Sequence, residues 1–437
     1  MKNLFRNKKV TIMGLGLHGG GVGAVKFFAQ QGAKLLVTDL RKRRELKESL
    51  EKLKEFNIKY VLGRHRKQDF INTDLIVKNP AVPNDSPFLK IAKMHSIPIT
   101  TDVAIFFKLC KAPIIGITGT KGKSTTTSLI AHILKSRKNI ILSGIPNTSV
   151  LEDLPKVKKN DIVVLELSSW DLNSLKYIKK SPHISVITNI FPDHLNTYKN
   201  IKEYINDKKN IFRYQTKKDI LILNFNNSFT KEFKKEAISK TYFYDGTPQE
   251  AGKIIGKLYK IPDKYISKAI SSFKGLKGRL ELIKEVKKIK FINDTCATIP
   301  EATIYGINKI SKNSLNNIIL IAGGKDKKLN FKKLADTILK KIKLLILLPG
   351  DASEKIKKEL NKNNYSKIKE CKNMKSAVRI AYKNAKSGDF ILLSPASASF
   401  NLFKNAYERG NEFDKEVFCL VSRLTPLSCQ QRCEKNK

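Results

Sequence analysis

Short apolar runs, each closed by a polar turn that often carries glycine, recur along the chain. Lys9-Val-Thr-Ile-Met13 is the first, and Gly14-Leu-Gly-Leu-His-Gly19 follows it. Apolar residues then return at helical spacing over residues 24–29, Gly32 closes that helix, and residues 35–39 read as the next strand. The same alternation predicts strands at residues 74–77, 112–115, 161–166, 184–188, 289–293, 318–321, 344–348 and 390–393, and a helix over 201–212. Strands that alternate with helices in this way predict open, mostly parallel α/β sheets.

At 437 residues the chain exceeds what one core organises, so three domains are expected. These are a Rossmann-like N-terminal domain over 1–110, a central P-loop ATPase domain with a mostly parallel sheet over 111–275, and a Rossmann-like α/β domain over 276–417. The last begins at the linker Gly275-Leu-Lys-Gly-Arg279. Residues 418–437 differ in composition: lysine thins out and three of the six cysteines appear. They read as a poorly ordered extension or as sequence from a shifted frame.

The chemistry concentrates in Gly116-Ile-Thr-Gly-Thr-Lys-Gly-Lys-Ser-Thr-Thr-Thr127. It follows an apolar run and opens a helical one, the context a phosphate-binding loop needs. Gly119 and Gly122 let backbone N–H groups close on phosphate oxygens, with Thr120, Lys121 and Thr125 in the same turn, and the helix N-terminus adds partial positive charge. Lys123 would reach the β- and γ-phosphates, and the Ser124 hydroxyl would ligate Mg²⁺. Ile117 stands where the strict pattern has its first glycine.

Glu166 ends an apolar strand and suits Mg²⁺, directly or through water. His194 lies beyond another strand end, where it could ligate a metal, position phosphate or serve structure alone. Tyr204 and Lys208 share one helix face. Gly14, Gly16 and Gly19 with Asp39 fit a dinucleotide fingerprint, and they fit equally a tight turn in a domain that binds another nucleoside. His18 reads as a loop residue. In the third domain, Asp294-Thr-Cys-Ala-Thr298, Gly323-Gly-Lys-Asp-Lys327 and Ser394-Pro-Ala-Ser-Ala-Ser399 stand at strand ends, on the sheet edge where ligands bind.

The formal charge of +45 raises nucleic-acid binding as a rival function. Its lysines are spread along the chain, whereas a nucleic-acid footprint clusters on one face, so no specific nucleic-acid role is expected. No apolar run approaches the roughly 20 residues of a membrane span, and no signal peptide is read at the N-terminus. Cysteine spacing shows no Cys-x-x-Cys pair, which fits a reducing cytoplasm, and Cys429 with Cys433 is too few for a closed zinc site.

Taken together, Gly119-Thr-Lys-Gly-Lys-Ser-Thr125, Glu166-Leu-Ser-Ser-Trp170, Asn189-Ile-Phe-Pro-Asp-His194 with Tyr204 and Lys208, Asn293-Asp-Thr-Cys-Ala-Thr298, and the run from Ser394 to Gly410 resemble the ATP-dependent Mur ligases of peptidoglycan synthesis. The resemblance covers residues 9–417 and points to the branch that adds D-glutamate. It implies ATP and Mg²⁺ as cofactors, UDP-N-acetylmuramoyl-L-alanine and D-glutamate as substrates, and a cytoplasmic enzyme, expected to be a monomer. It places Asp39 and Arg41 at the uracil end of the substrate, with Ser168 also contacting substrate. Glu166, His194 and a carbamylated Lys208 would hold metal, with Lys123, His194 and Lys208 catalytic. Arg279 and Asp294 would contact ATP, and Thr298, Lys327 and Ser399 the incoming D-glutamate. The sequence departs from the family at Lys121 (usually Asn), at Ser143-Gly-Ile-Pro-Asn147, at Gly278 (usually His) and at Cys296 (Lys in some members).

Overall fold

Three sheets carry the chain in this computed structural model, which describes residues 3–17, 19–145, 148–193, 197–311 and 316–424. The first holds β1 (Lys9–Met13), β2 (Lys34–Asp39), β3 (Ile58–Leu62), β4 (Leu75–Lys78) and β5 (Ile99–Thr100), all parallel, in the order β3-β2-β1-β4-β5. The second holds β6 (Ile114–Thr118), β7 (Ile140–Ser143), β8 (Ile162–Glu166), β9 (Ile184–Ile187), β10 (Ile220–Asn224) and β11 (Lys240–Tyr244), again parallel, in the order β11-β10-β9-β6-β8-β7. The third holds β12 (Glu281–Val286), β13 (Ile289–Asn293), β14 (Ile318–Ala322), β15 (Ile342–Leu347), β16 (Ile368–Glu370) and β17 (Phe390–Leu393). Its order is β12-β13-β17-β14-β15-β16, with only β12 antiparallel.

The interior strands are buried on both faces, which is why they read as apolar runs: Ile115, Ile117, Val164 and Val186 in the second sheet are all fully buried. β6 starts later than expected because Pro113 has no N–H to give to the ladder. It also runs further, to Thr118, because Gly116 leaves room for Pro182, whose Cγ lies 2.3 Å from where a Cβ would sit. The expected helix over 201–212 is observed as Ile201–Lys209. The helix Ala406–Leu424 continues seven residues past the expected end of the third domain, with Val417 fully buried and Leu420 and Val421 packed on the same core. The described part of the tail is therefore ordered helix, not a loose extension; Cys429 and Cys433 lie outside the described residues.

The chain divides into two compact units. One comprises residues up to Ile190 with Lys202–Phe273, and so contains the first two sheets; the other comprises Phe191–Ile201 with everything from Lys274 onward. No helix among the described residues is long and apolar enough to cross a membrane.

Candidate active site

The glycine loop sits where the strand order of the second sheet reverses, between β6 and β9, the place where open α/β sheets bind ligands. Its shape is over-determined. Gly119 has φ +149°, and a Cβ there would fall 1.9 Å from Thr188 Oγ1, so no side chain fits. The loop after β9 grips the turn from below: Thr120 N donates to Asn189 O at 2.8 Å, Lys121 N to Asn189 Oδ1 at 2.9 Å, and Asn189 Nδ2 to Lys121 O at 2.9 Å. Thr188 Oγ1 donates to the same Lys121 carbonyl at 2.6 Å. Only the backbone of Lys121 is used in these contacts, so replacing the usual Asn leaves them intact.

Two lysines hold the loop's carbonyls. Lys123 Nζ donates to Gly119 O at 3.1 Å and Thr120 O at 3.2 Å. Lys208 Nζ, 1 % exposed, donates to Gly119 O at 2.9 Å and Thr118 Oγ1 at 3.2 Å and lies 4.8 Å from the Tyr204 ring centroid. The Tyr204 hydroxyl is 3.0 Å from Thr120 Oγ1. The two ammonium groups add positive charge at a glycine turn that opens the helix Lys123–Leu134, the combination that makes such turns phosphate sites. Tyr204 and Lys208 do share a buried helix face, and Lys208, unremarkable by composition in a lysine-rich chain, is fully buried against the loop.

Glu166 ends β8, is buried, and its Oε2 accepts no hydrogen bond from the described residues. With the buried Ser124 it supplies the oxygen donors a hard cation takes, so the residues fit Mg²⁺. Among the described residues no three His, Cys, Asp or Glu side chains converge on one point, and His194 lies outside the described residues. Ser168 caps the helix Ser169–Ile178: its Oγ accepts from Asp171 N at 3.2 Å while Asp171 Oδ2 accepts from Ser168 N at 2.8 Å. Burial pushes the Asp171 carboxyl up, against those bonds.

At the first sheet, Asp39 is buried and ties the turn after β1 to its own, accepting from Gly16 N at 3.0 Å and Arg41 N at 2.8 Å. Arg41 Nη1 is 3.5 Å from it. The turn forms one wall of a cavity of about 670 Å³ beyond β1, β2 and β4, with Arg41, His65, Asn79, Val82 and Phe88 among its lining. His18 and Asn147 lie outside the described residues.

In the second unit the three polar loops are bonded to one another. Ala396 N donates to Ala297 O, Gly323 N to Pro395 O, and Lys325 and Ala398 exchange both backbone bonds. Lys327 Nζ lies 3.3 Å from Thr298 Oγ1 and 3.4 Å from Asp193 Oδ1. Asp294 accepts from Leu280 N at 3.2 Å and the Ser394 hydroxyl at 2.8 Å. Ser399 is buried, and Arg279 stands just before β12. Gly278 has φ +69°, with a Cβ position 2.9 Å from Thr295 Cγ2, so this turn packs where a His side chain could not. Sequence reasoning assigned no role to Thr188, Asn189 or Arg409. Arg409, 1 % exposed, joins two of the loops by donating to Thr295 O, Thr295 Oγ1 and Ser397 O. Its neighbours are main-chain oxygens and a hydroxyl, so no charge pattern announces it.

A glycine loop of this form on a parallel six-stranded sheet defines a phosphate-binding α/β protein. Three family models match in chain order: the Mur ligase MurD-like N-terminal domain over residues 8–101, the Mur ligase middle domain over 117–274, and the Mur ligase glutamate ligase domain over 278–397. The UDP-N-acetylmuramoylalanine–D-glutamate ligase of Acetivibrio thermocellus is 35% identical, over 95% of this chain and 97% of its own. That of Borreliella burgdorferi is 37% identical, over 94% of this chain and 98% of its own. The chain belongs to the Mur ligase family, in its D-glutamate ligase branch. Among solved structures, the UDP-N-acetylmuramate-alanine ligase MurC of Thermotoga maritima shares the fold with a TM-score of 0.61 at 18% identity, covering 95% of this chain and 100% of its own. The MurF ligase of the same organism, in complex with ADP, does so with a TM-score of 0.59 at 14% identity, covering 95% and 96%.

Proposed function

We propose that this chain joins D-glutamate to UDP-N-acetylmuramoyl-L-alanine, with ATP cleaved to ADP and phosphate. The observation that carries the reading is the glycine loop with Lys123 and Lys208 gathered on its carbonyls, in a chain whose relatives share that activity in name over nearly their whole length.

The N-terminal cavity would take the UDP end of the substrate, with Asp39 fixing the turn and Arg41 at the uracil. The substrate carboxylate attacks the γ-phosphate of ATP, giving an acyl phosphate and ADP. Two anions must meet, and Lys123 neutralises their repulsion by moving from the loop carbonyls to the transferring phosphoryl group. Mg²⁺, held by Ser124, Glu166 and His194, with Lys208 as its carbamate, would add positive charge at the phosphates. Arg279 and Asp294 would contact ATP. Thr298, Lys327 and Ser399 would hold D-glutamate, whose amine attacks the acyl carbon and expels phosphate. His194 or the Lys208 carbamate would take the amine proton. Acting as a cytoplasmic monomer without a specific nucleic-acid partner completes the reading.

Phosphate release in the presence of UDP-N-acetylmuramoyl-L-alanine, measured over a panel of D- and L-amino acids, tests it. Release dependent on D-glutamate is expected. Release with a different amino acid and none with D-glutamate would overturn the substrate.

A further inference from the structure

A second cavity lies among β4, β5 and the helices Asp102–Leu109 and Ser169–Ile178. It measures about 340 Å³ and its lining is mostly apolar, with Leu75, Ile99, Ala104, Ile105 and Ile178 beside the hydroxyl residues Thr100, Thr101 and Ser174. Lys78 is also in its lining. Lys78 is 7 % exposed, whereas Tyr177, 59 % exposed, and Lys108, also in the lining, reach solvent. The nearby acids do not reach Lys78 by hydrogen bond: its Nζ donates instead to Val82 O at 3.0 Å. Burial first, then Lys176, push its ammonium down to about 8, against Asp171 and Asp207.

A buried ammonium in the lining of a largely apolar cavity, bonded to one neutral carbonyl and with Asp171 and Asp207 near but not hydrogen-bonded to it, has N–H groups left for an anion. The missing partner is an anion with an apolar body. Size narrows it further. A cavity of about 150 Å³ accepts benzene, so this one accommodates roughly two fused rings or a chain of similar bulk. We propose that this cavity binds an amphipathic monocarboxylate, an aryl or medium-chain acid, with its carboxylate on Lys78 and its apolar part against Ile99, Ala104 and Ile105.

The site has a lever. Val82, whose carbonyl Lys78 holds, lines the 670 Å³ cavity together with Asn79, and Asn79 O accepts from Val82 N at 2.9 Å. A carboxylate taken up by the remaining N–H groups of Lys78 draws the ammonium away from that carbonyl, so occupancy loosens the wall of the nucleotide cavity and lowers its affinity. By linkage, a ligand in the nucleotide cavity weakens the acid by the same factor. This coupling rests on the 670 Å³ cavity being the UDP site; binding of the acid does not.

The test uses 2-naphthoate as probe on the full chain, followed by its fluorescence and by isoleucine methyl NMR. Saturable binding that shifts the Ile99, Ile105 and Ile178 methyls is expected. Affinity should be at least tenfold weaker for 2-naphthamide, for Lys78→Met and for the cavity-filling Ala104→Leu. Saturating naphthoate should lower UDP affinity severalfold. No saturable binding, or equal affinity for the amide and the acid in the wild-type protein, overturns the site without relying on either variant folding. Binding with unchanged UDP affinity overturns the coupling. Failure of UDP to bind the naphthoate-free protein sinks the nucleotide reading of the large cavity and leaves the acid site standing.

Discussion

Replacing Asp102 by Asn tests how firmly the first two sheets are packed on each other. Asp102 opens the helix Asp102–Leu109, and its carboxylate accepts from Val103 N at 2.9 Å and from the Ser149 hydroxyl at 3.1 Å. Ser149 caps the short helix Val150–Asp153 of the central domain. Burial first, then Asp171, push the Asp102 carboxyl from 3.8 up to about 6, against those hydrogen bonds. At 1.36 kcal/mol per pKa step, holding it ionised costs roughly 3 kcal/mol relative to the unfolded chain. The folded chain keeps this proton more tightly than the unfolded one. Stability from this group is therefore fully present below about pH 4, is lost as pH rises to about 6, and is flat above.

Asparagine keeps the volume, accepts from Val103 N, donates to Ser149 and does not ionise. It should stabilise the unit by up to about 3 kcal/mol near pH 8, by about half that near pH 5, and by nothing at more acid pH. For a unit of this size that is a melting shift on the order of 5–10 °C near pH 8. Calorimetric melting of both proteins at the two pH values measures it. A shift that is the same at both, or destabilisation near pH 8, would refute the reasoning.

Other perturbations have equally definite outcomes. Gly119→Ala should abolish ATP-dependent phosphate release, because the new methyl collides with Thr188 Oγ1; retained nucleotide binding, read by equilibrium dialysis, would contradict it. Glu166→Gln should raise the Mg²⁺ concentration needed for half-maximal activity at least tenfold while leaving the melting temperature within a few degrees, since Oε2 accepts no hydrogen bond among the described residues; an unchanged Mg²⁺ requirement removes Glu166 from the metal site. Lys208→Met should eliminate turnover, and ¹³CO₂ labelling of the wild-type protein should give a carbamate signal that the variant lacks. Arg409→Leu leaves the carbonyls of Thr295 and Ser397 unpaired in the interior and should destabilise the second unit by roughly 2–4 kcal/mol, seen as a lower denaturation midpoint; no change would mean the loops hold without it.

What could be read in the sequence divides along the sheets themselves. Interior strands such as β6, β8 and β14 are buried on both faces and announce themselves as apolar runs. The six edge strands β3, β5, β7, β11, β12 and β16 are half exposed and absent from the expected elements; β3, β11, β12 and β16 mix charge with apolar residues, and β5 is only two residues long. β10 is an interior strand with an Ile-Leu-Ile-Leu run as plain as its neighbours, and it too is missing from them. The glycine loop was legible because its chemistry is local. The commitment of the Ser168 hydroxyl to a helix cap and of Asp39 to the glycine turn after β1 was not, since a motif names a residue without showing which groups its side chain already serves.

The backbone bonds that tie the loop after β14 to the loop after β17, and that loop to the one after β13, also constrain how such a protein could change its amino-acid partner. Lengthening one loop would tear hydrogen bonds from the next, so grafting a single segment from a relative should yield an inactive chimera. New specificity is reachable by exchanging side chains on a fixed frame, or by moving all three segments as one cassette.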